Sequence, residues 1–248
     1  MRKRAALAAH PSALPSEINQ KIGRALHDYA MIEDGDRLLV AVSGGIDSLV
    51  LAAVLSCWQR KAPIAFDIAA ITIDHGYWRR AGAENPTAAI SEQLRPWGLA
   101  LRQETAWGEP GAAPSCFHCA RDRRSQLFAI ARDGGHTAIC FGHHRDDLID
   151  TFFLNLLYGG NVSTMRPKQI LFAGRLKLLR PLAYLSKDEV RAVGRLWGLS
   201  PQPNLCPRAD DSRRQTAREI VAAIERFQPD ARRMVFSALK NVRAEYLP

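Results

Sequence analysis

Val40-Ala41-Val42-Ser43-Gly44-Gly45-Ile46-Asp47-Ser48 is the stretch whose reading decides the fold. Ahead of it, Arg37 to Val42 is a short apolar run, as a strand buried on both faces would be. Behind it, Leu49 to Trp58 reads as a helix. Two adjacent glycines sit at the junction, where a backbone without Cβ lets a ligand come close to the N–H groups. Those N–H groups lie at the positive end of the following helix, so the turn is built to bind phosphate. Ser43 and Ser48 add hydroxyl donors. Asp47 repels an anion by itself, so its expected task is to hold Mg²⁺ against the phosphates. The loop lacks the Gly-Lys-Ser/Thr ending of a kinase-type P-loop and the third glycine of a dinucleotide fingerprint.

Ser-Gly-Gly-x-Asp-Ser between a strand and a helix resembles the PP-loop of the ATP pyrophosphatase superfamily. That resemblance implies cleavage of ATP between the α- and β-phosphates.

The rest of the chain alternates in the same way. Ser16 to Ile32 reads as a helix with an apolar stripe at Ile18, Ile22, Leu26, Tyr29 and Ala30. Phe66 to Ile73 is a second strand, ending in Asp74-His75-Gly76 at the edge where open α/β sheets keep their ligands. A helix over Glu84 to Trp97, a strand over Leu99 to Glu104 and a loop over Trp107 to Ser115 follow. Cys116 to Arg132 reads as a helix and Thr137 to Phe141 as a strand with the exit turn Gly142-His143-His144-Arg145-Asp146-Asp147. Asp150 to Tyr158 is apolar nearly all round, hence a buried helix that Gly159-Gly160 ends. Gln169 to Ala173 and Leu176 to Leu179 flank Gly174-Arg175 as a hairpin. Ser186 to Trp197, Arg213 to Phe227 and Asp230 to Tyr246 read as helices, separated by the proline-broken stretch holding Pro201, Pro203 and Pro207. The pattern predicts an α/β fold: a parallel sheet flanked by helices on both faces, with small helical additions at both ends. Its division is a flexible arm over 1–15, an ATP-binding domain over 16–200 that carries the C-x-x-C, and a basic C-terminal segment over 201–248.

The charge is unevenly placed. Residues 1–165 hold seventeen Lys and Arg against seventeen Asp and Glu, while residues 166–248 hold seventeen against eight, so the whole net charge of +9 lies in the last third. A basic region beside a nucleotide loop points to a polyanionic partner, nucleic acid first. There is no apolar run long enough to span a bilayer, and the basic start Met1-Arg2-Lys3-Arg4 leads into a short apolar stretch broken by His10 and Pro11. A cytoplasmic location is therefore expected, and five cysteines there argue against a disulfide framework. Cys57 and Cys140 fall on a helix and an apolar strand and read as packing residues.

Cys116-Phe117-His118-Cys119 opens a helix. The residues alone fit a redox pair, half a zinc site or part of an iron–sulfur site. Cys206 is the loop cysteine able to join the pair, and three thiolates suit a four-iron cluster with one iron left open to sulfide. The Gly142 to Asp147 turn concentrates two imidazoles, a guanidinium and two carboxylates. Asp146 and Asp147 read either as helix N-terminal charge or as partners of Asp47 in holding Mg²⁺ or steering a proton. Arg121, Arg123 and Arg124 follow the cysteine pair, and Arg208, Arg213 and Arg214 follow Cys206, so placed that they would hold the phosphates of an RNA or simply line helix surfaces.

Together with Thr151 to Gly160, Arg180 to Tyr184 and Asn204-Leu205-Cys206, these motifs resemble the tRNA 2-thiocytidine synthetase family over most of the chain, from Ile18 to about Leu247. The resemblance implies thiolation of a tRNA cytidine at C2, at position 32, with ATP, Mg²⁺ and a [4Fe-4S] cluster. It implies that Cys116, Cys119 and Cys206 ligate the cluster. Ser43, Gly44, Gly45, Asp47 and Ser48 would hold the nucleotide, with Asp74, Gly142, His143 and Asp147 around it. It further implies a sulfur donor (a cysteine desulfurase or free sulfide) and a homodimer. Two residues depart from the family pattern. Ile46 stands where the family's loop carries Lys, so another cation must offset phosphate charge. Pro203 stands where a second C-x-x-C would begin, which leaves Cys206 alone there. A lysidine-type enzyme using an amine, a sister sulfur transferase, and a zinc-stabilised RNA-binding protein without catalysis are the other readings open to this sequence.

Overall fold

The computed structural model describes residues 13–108, 115–206 and 212–246, without the side chains of Cys116, Ser212 and Ala244. Most of the expected N-terminal arm, the middle of the Trp107 to Ser115 loop, Pro207 and Arg208 lie outside the described residues. In chain order the elements are α1 (Ser16–Asp28), β1 (Arg37–Ala41), α2 (Ile46–Lys61), β2 (Asp67–Asp74), the single turn α3 (Tyr77–Arg80), α4 (Thr87–Leu94), β3 (Leu101–Thr105), α5 (Cys116–Asp133), β4 (Ala138–Cys140), α6 (Arg145–Gly159), β5 (Lys168–Leu171), β6 (Leu176–Leu179), α7 (Lys187–Leu196), α8 (Ser212–Phe227) and α9 (Ala231–Ala238).

The strands form one sheet in the order β3-β2-β1-β4-β6-β5. All neighbours run parallel except β5, which pairs antiparallel with β6 in the expected hairpin. Alternate residues of each central strand enter different cores, as the two-residue period of a strand requires. Leu38, Val40, Ala138 and Cys140 pack on one face with α1, α2, α4 and α7. Leu39 and Ile139 pack on the other with Leu127 and Ala131 of α5. Helices thus cover both faces. α2 lies deepest: Leu49 to Leu55 are all fully buried, which explains its unbroken apolar sequence. α8 lies against α6, where Ala217 and Val221 close over Ile149 and Phe153.

Several boundaries differ from the sequence reading. α2 begins at Ile46, so Asp47 and Ser48 belong to its first turn. The helix expected over Glu84 to Trp97 is α4 plus a 3-10 turn over Arg95–Trp97, because Pro86 takes the N-cap and Pro96 cannot continue an α-helical ladder. α6 begins at Arg145 rather than Asp150, and its last turn is not buried: Leu156, Leu157 and Tyr158 are 40–49% exposed. The helix expected to reach Tyr246 stops at Ala238, where Lys240 and Asn241 bond three residues back and tighten the chain out of the helix.

Sheet order reverses between β1 and β4, which pair as Leu38 with Ala138, Leu39 with Ile139 and Val40 with Cys140. Connections leave these two strands in opposite directions and open a crevice at their carboxyl ends. The glycine loop and the His-His-Arg-Asp-Asp turn both sit there.

Candidate active site

The loop is shaped by a few close contacts. Gly44 has φ +82°, a conformation costly for any residue with a Cβ. Ser48 Oγ donates to the Gly45 carbonyl (2.8 Å) and accepts from the Ser43 N–H (3.1 Å), closing the loop on itself. The Gly45 N–H reaches Ser43 Oγ at 3.4 Å. Gly142, at the exit of β4, touches the start of α2 so closely that a Cβ there would lie 2.8 Å from the Asp47 carbonyl and 2.9 Å from the Ser48 nitrogen.

Three helices begin at this point. α6 and α7 are laced together: the Arg145 N–H donates to the Leu185 carbonyl (2.8 Å) and the Lys187 N–H to Asp146 Oδ2 (2.7 Å). Asp147 accepts from the His144 N–H at 3.0 Å, so it caps its own helix, and its carboxylate also lies 3.4 Å from His144 Nε2. The same imidazole nitrogen is 3.8 Å from Asp47 Oδ1, which places buried His144 between the two carboxylates. Lys187 Nζ lies 2.7 Å from both Asp47 oxygens. The positive ends of three helix dipoles, one part-exposed carboxylate and one ammonium make a site for a metal-bound polyphosphate.

Arginines form one wall. Arg180, buried beneath the site, donates to His143 Nδ1 at 3.2 Å. Burial, then the Arg180 charge, pull the His143 pKa down to about 4, with Arg214 adding to the effect. Burial and the nearby Arg124 lower Arg180 itself to about 10. Arg124, Arg180 and Arg214 therefore converge on one patch, drawn from α5, the end of β6 and α8. Arg123 faces His75, where burial and then that guanidinium keep the imidazole neutral. Arg213 lies over the Tyr158 ring at 5.2 Å, and Arg121 pairs with Asp122.

The thiol of Cys119 lies on the same helix as Arg123 and Arg124, one turn before them; Cys116 precedes it by three positions at the start of α5. Tyr77 Oη is 4.0 Å from Cys119 Sγ, and its pKa is pushed up to about 12 by burial, by Cys119 and by Cys206. One phenol thus feels both thiols, which brings Cys206 near Cys119 although they are 87 positions apart in sequence. His118 is turned away: its Nδ1 lies 2.8 Å from Ser115 Oγ, the N-cap of α5. Two thiols at one hydroxyl, from Cys119 and Cys206, supply part of the donor set of an iron–sulfur cluster.

The chain that leads to Cys206 is tied to the phosphate loop, because the Gln202 N–H donates to the Gly44 carbonyl at 2.9 Å. Asp74, expected beside the nucleotide, lies at the carboxyl end of β2. Its carboxylate accepts from the Gly76 N–H (2.7 Å), Gln103 Nε2 (3.0 Å) and Trp78 Nε1 (3.2 Å), and so fixes the turn that carries Tyr77. Sequence reasoning missed Lys187, Tyr77 and Gln202. A capping box of Ser186 and Glu189 starts α7, but nothing local links position 187 to position 47.

The family model described as the PP-loop domain matches residues 14–200. Over 244 residues the chain is 34% identical to the tRNA-cytidine(32) 2-sulfurtransferase of Pseudomonas paraeruginosa, covering 95% of this chain and 87% of that one. It is also 34% identical to the protein of that name from Haemophilus influenzae, covering 94% and 76%. The chain belongs to the PP-loop family, and within it to the group of these 2-sulfurtransferases. Among solved structures, the U34-tRNA thiolase NcsA from Methanococcus maripaludis with its [4Fe-4S] cluster has the same fold, with a TM-score of 0.74 at 20% identity over 94% of this chain and 79% of that one.

Proposed function

We propose that this chain thiolates tRNA, using ATP to activate the C2 oxygen of cytidine 32 and replacing that oxygen with sulfur. The observation that carries the reading is the Gln202–Gly44 hydrogen bond. Four residues, at most roughly 14 Å of extended chain, separate Gln202 from Cys206. ATP chemistry and thiol chemistry therefore share one crevice.

The C2 oxygen attacks the α-phosphate, the bond to the bridging oxygen breaks, and pyrophosphate leaves. A sulfur nucleophile then adds at C2, and AMP departs with the original oxygen. The N–H groups of Gly44, Gly45 and the first turn of α2 hold the phosphates and favour the charge that develops on them. Mg²⁺ bound at Asp47 would neutralise phosphate oxygens. A cluster held by Cys116, Cys119 and Cys206 would present sulfur to C2. His143 is held neutral by burial and Arg180, and because its Nδ1 accepts from Arg180 its Nε2 carries the proton and can donate a hydrogen bond without adding charge. Arg124, Arg180 and Arg214 offer the tRNA backbone a cationic border. The sulfur comes from a cysteine desulfurase or free sulfide, and the protein works in the cytoplasm as a homodimer.

The test is a stoichiometry. Anaerobically purified protein with tRNA, ATP, Mg²⁺ and sulfide should form one AMP and one pyrophosphate per 2-thiocytidine. AMP formation without thiolated base, at any sulfide concentration, would overturn the sulfur-transfer reading.

A further inference from the structure

The loop position next to Asp47 is apolar, and the structure shows what Ile46 does instead of carrying charge. Its side chain fills a notch over Gly194 of α7, where an added Cβ would collide with it. Lys187 lies seven residues before Gly194, two turns away on the same face of that helix. Docking Ile46 over Gly194 therefore sets Lys187 over the loop. The backbone of Lys187 is fixed independently: its N–H is held by Asp146, and the turn that precedes it is locked by the reciprocal Ser186 and Glu189 bonds (2.8 and 3.2 Å). Its ammonium reaches both oxygens of Asp47, and both side chains remain 29% exposed at the mouth of the crevice. The pair is open to exchange, unlike the ion pair of Lys177 and Asp36, each about 10% exposed or less, at the far end of the sheet.

We propose that Lys187 is the phosphate-binding cation of this site, delivered from α7 in place of an ammonium on the loop. With nucleotide and Mg²⁺ present, Asp47 turns to the metal and the Lys187 ammonium moves to non-bridging oxygens of the β-phosphate, the group that leaves as pyrophosphate. A point charge on a flexible stem is suited to that transfer. The inference rests on the reading of the loop as an ATP site, and not on the nature of the acceptor base.

The experiment compares ATP with adenosine by competition against a fluorescent adenine nucleotide, in the full-length protein with Mg²⁺. Lys187→Ala is expected to weaken ATP about tenfold or more and to leave adenosine within about twofold, because only the triphosphate loses a charge partner. Lys187→Met keeps the stem and gives the same comparison if the alanine variant fails to fold. ATP bound as tightly as by the wild type would overturn the proposal. So would an equal loss for ATP and adenosine, which marks Lys187 as only a strut for Asp47. A wild-type protein that binds ATP with this lysine dependence yet thiolates no tRNA refutes the proposed function and leaves the lysine's role standing.

Discussion

Gly142 has no room for a side chain. Its neighbours at 2.8–2.9 Å are backbone atoms of Asp47 and Ser48, which cannot step aside as a flexible side chain would. Gly142→Ala should cost about 1–3 kcal/mol of stability, the usual range for overpacking a tight contact. Chemical denaturation would read that loss. ATP affinity should fall with it, because the β4 exit and the loop are forced apart. His143 makes a pH prediction with a definite sign. Its folded pKa of about 4 lies below the ordinary value of 6.5, so the folded state prefers the neutral ring. That contribution is complete above pH 6.5, where the unfolded chain is also neutral there. It is lost as pH falls from 6.5 towards 4, as the unfolded chain takes up a proton the folded one refuses. His143→Asn should flatten the fall of melting temperature across that window, with Asp147, His144, Arg180 and Arg214 facing the ring in both proteins. An unchanged slope would remove His143 from the account.

Elements carry the next set of effects, and here the limits of sequence reading are physical. The strand–loop–helix unit around Asp47 was legible because its signals are local: an apolar run, two glycines and a helix start within nine residues. The start of α6 was placed five residues late, because Arg145, Asp146 and Asp147 break the apolar period. Asp147 bonds to the His144 N–H, and that cap starts the helix despite the charges. Lys187 was not legible at all, since its partner Asp47 is 140 positions away and only the packing of α7 on α2 joins them. Ile46 was noticed as a missing charge, while its positive role needed Gly194 opposite it. Gly194→Ala should therefore loosen α7, lower the melting temperature by an amount equivalent to about 1–3 kcal/mol, and weaken ATP binding although Gly194 lies in the helix interior away from the loop's own backbone. Loss of stability with ATP affinity intact would show that α7 need not be seated for Lys187 to act.

The whole molecule joins a neutral two-thirds to a basic last third. Arg124 of α5 and Arg214 of α8 meet at the patch over His143 and Arg180, so the basic C-terminal part completes the border of the crevice rather than standing apart from it. The excess charge was readable from composition; which arginines converge was not, because convergence depends on α8 folding back onto α6. Replacing Arg124 or Arg214 with Ala should weaken tRNA binding and reduce the slope of log affinity against log salt by about 1 each, as loss of a phosphate contact does. Arg121→Ala, whose guanidinium is exposed and paired with Asp122, should leave the slope nearly unchanged. No described helix is long and apolar enough to cross a membrane. In the proposed reaction the nucleotide loop and the thiols act on one tRNA base. The most direct measurement is mass spectrometry of tRNA nucleosides from cells lacking the protein, complemented in turn with wild type, Asp47→Ala and Cys206→Ser. Loss of 2-thiocytidine in the deletion, restored by wild type and by neither variant, is the predicted result. Unchanged 2-thiocytidine in the deletion, or full restoration by Cys206→Ser, would contradict it.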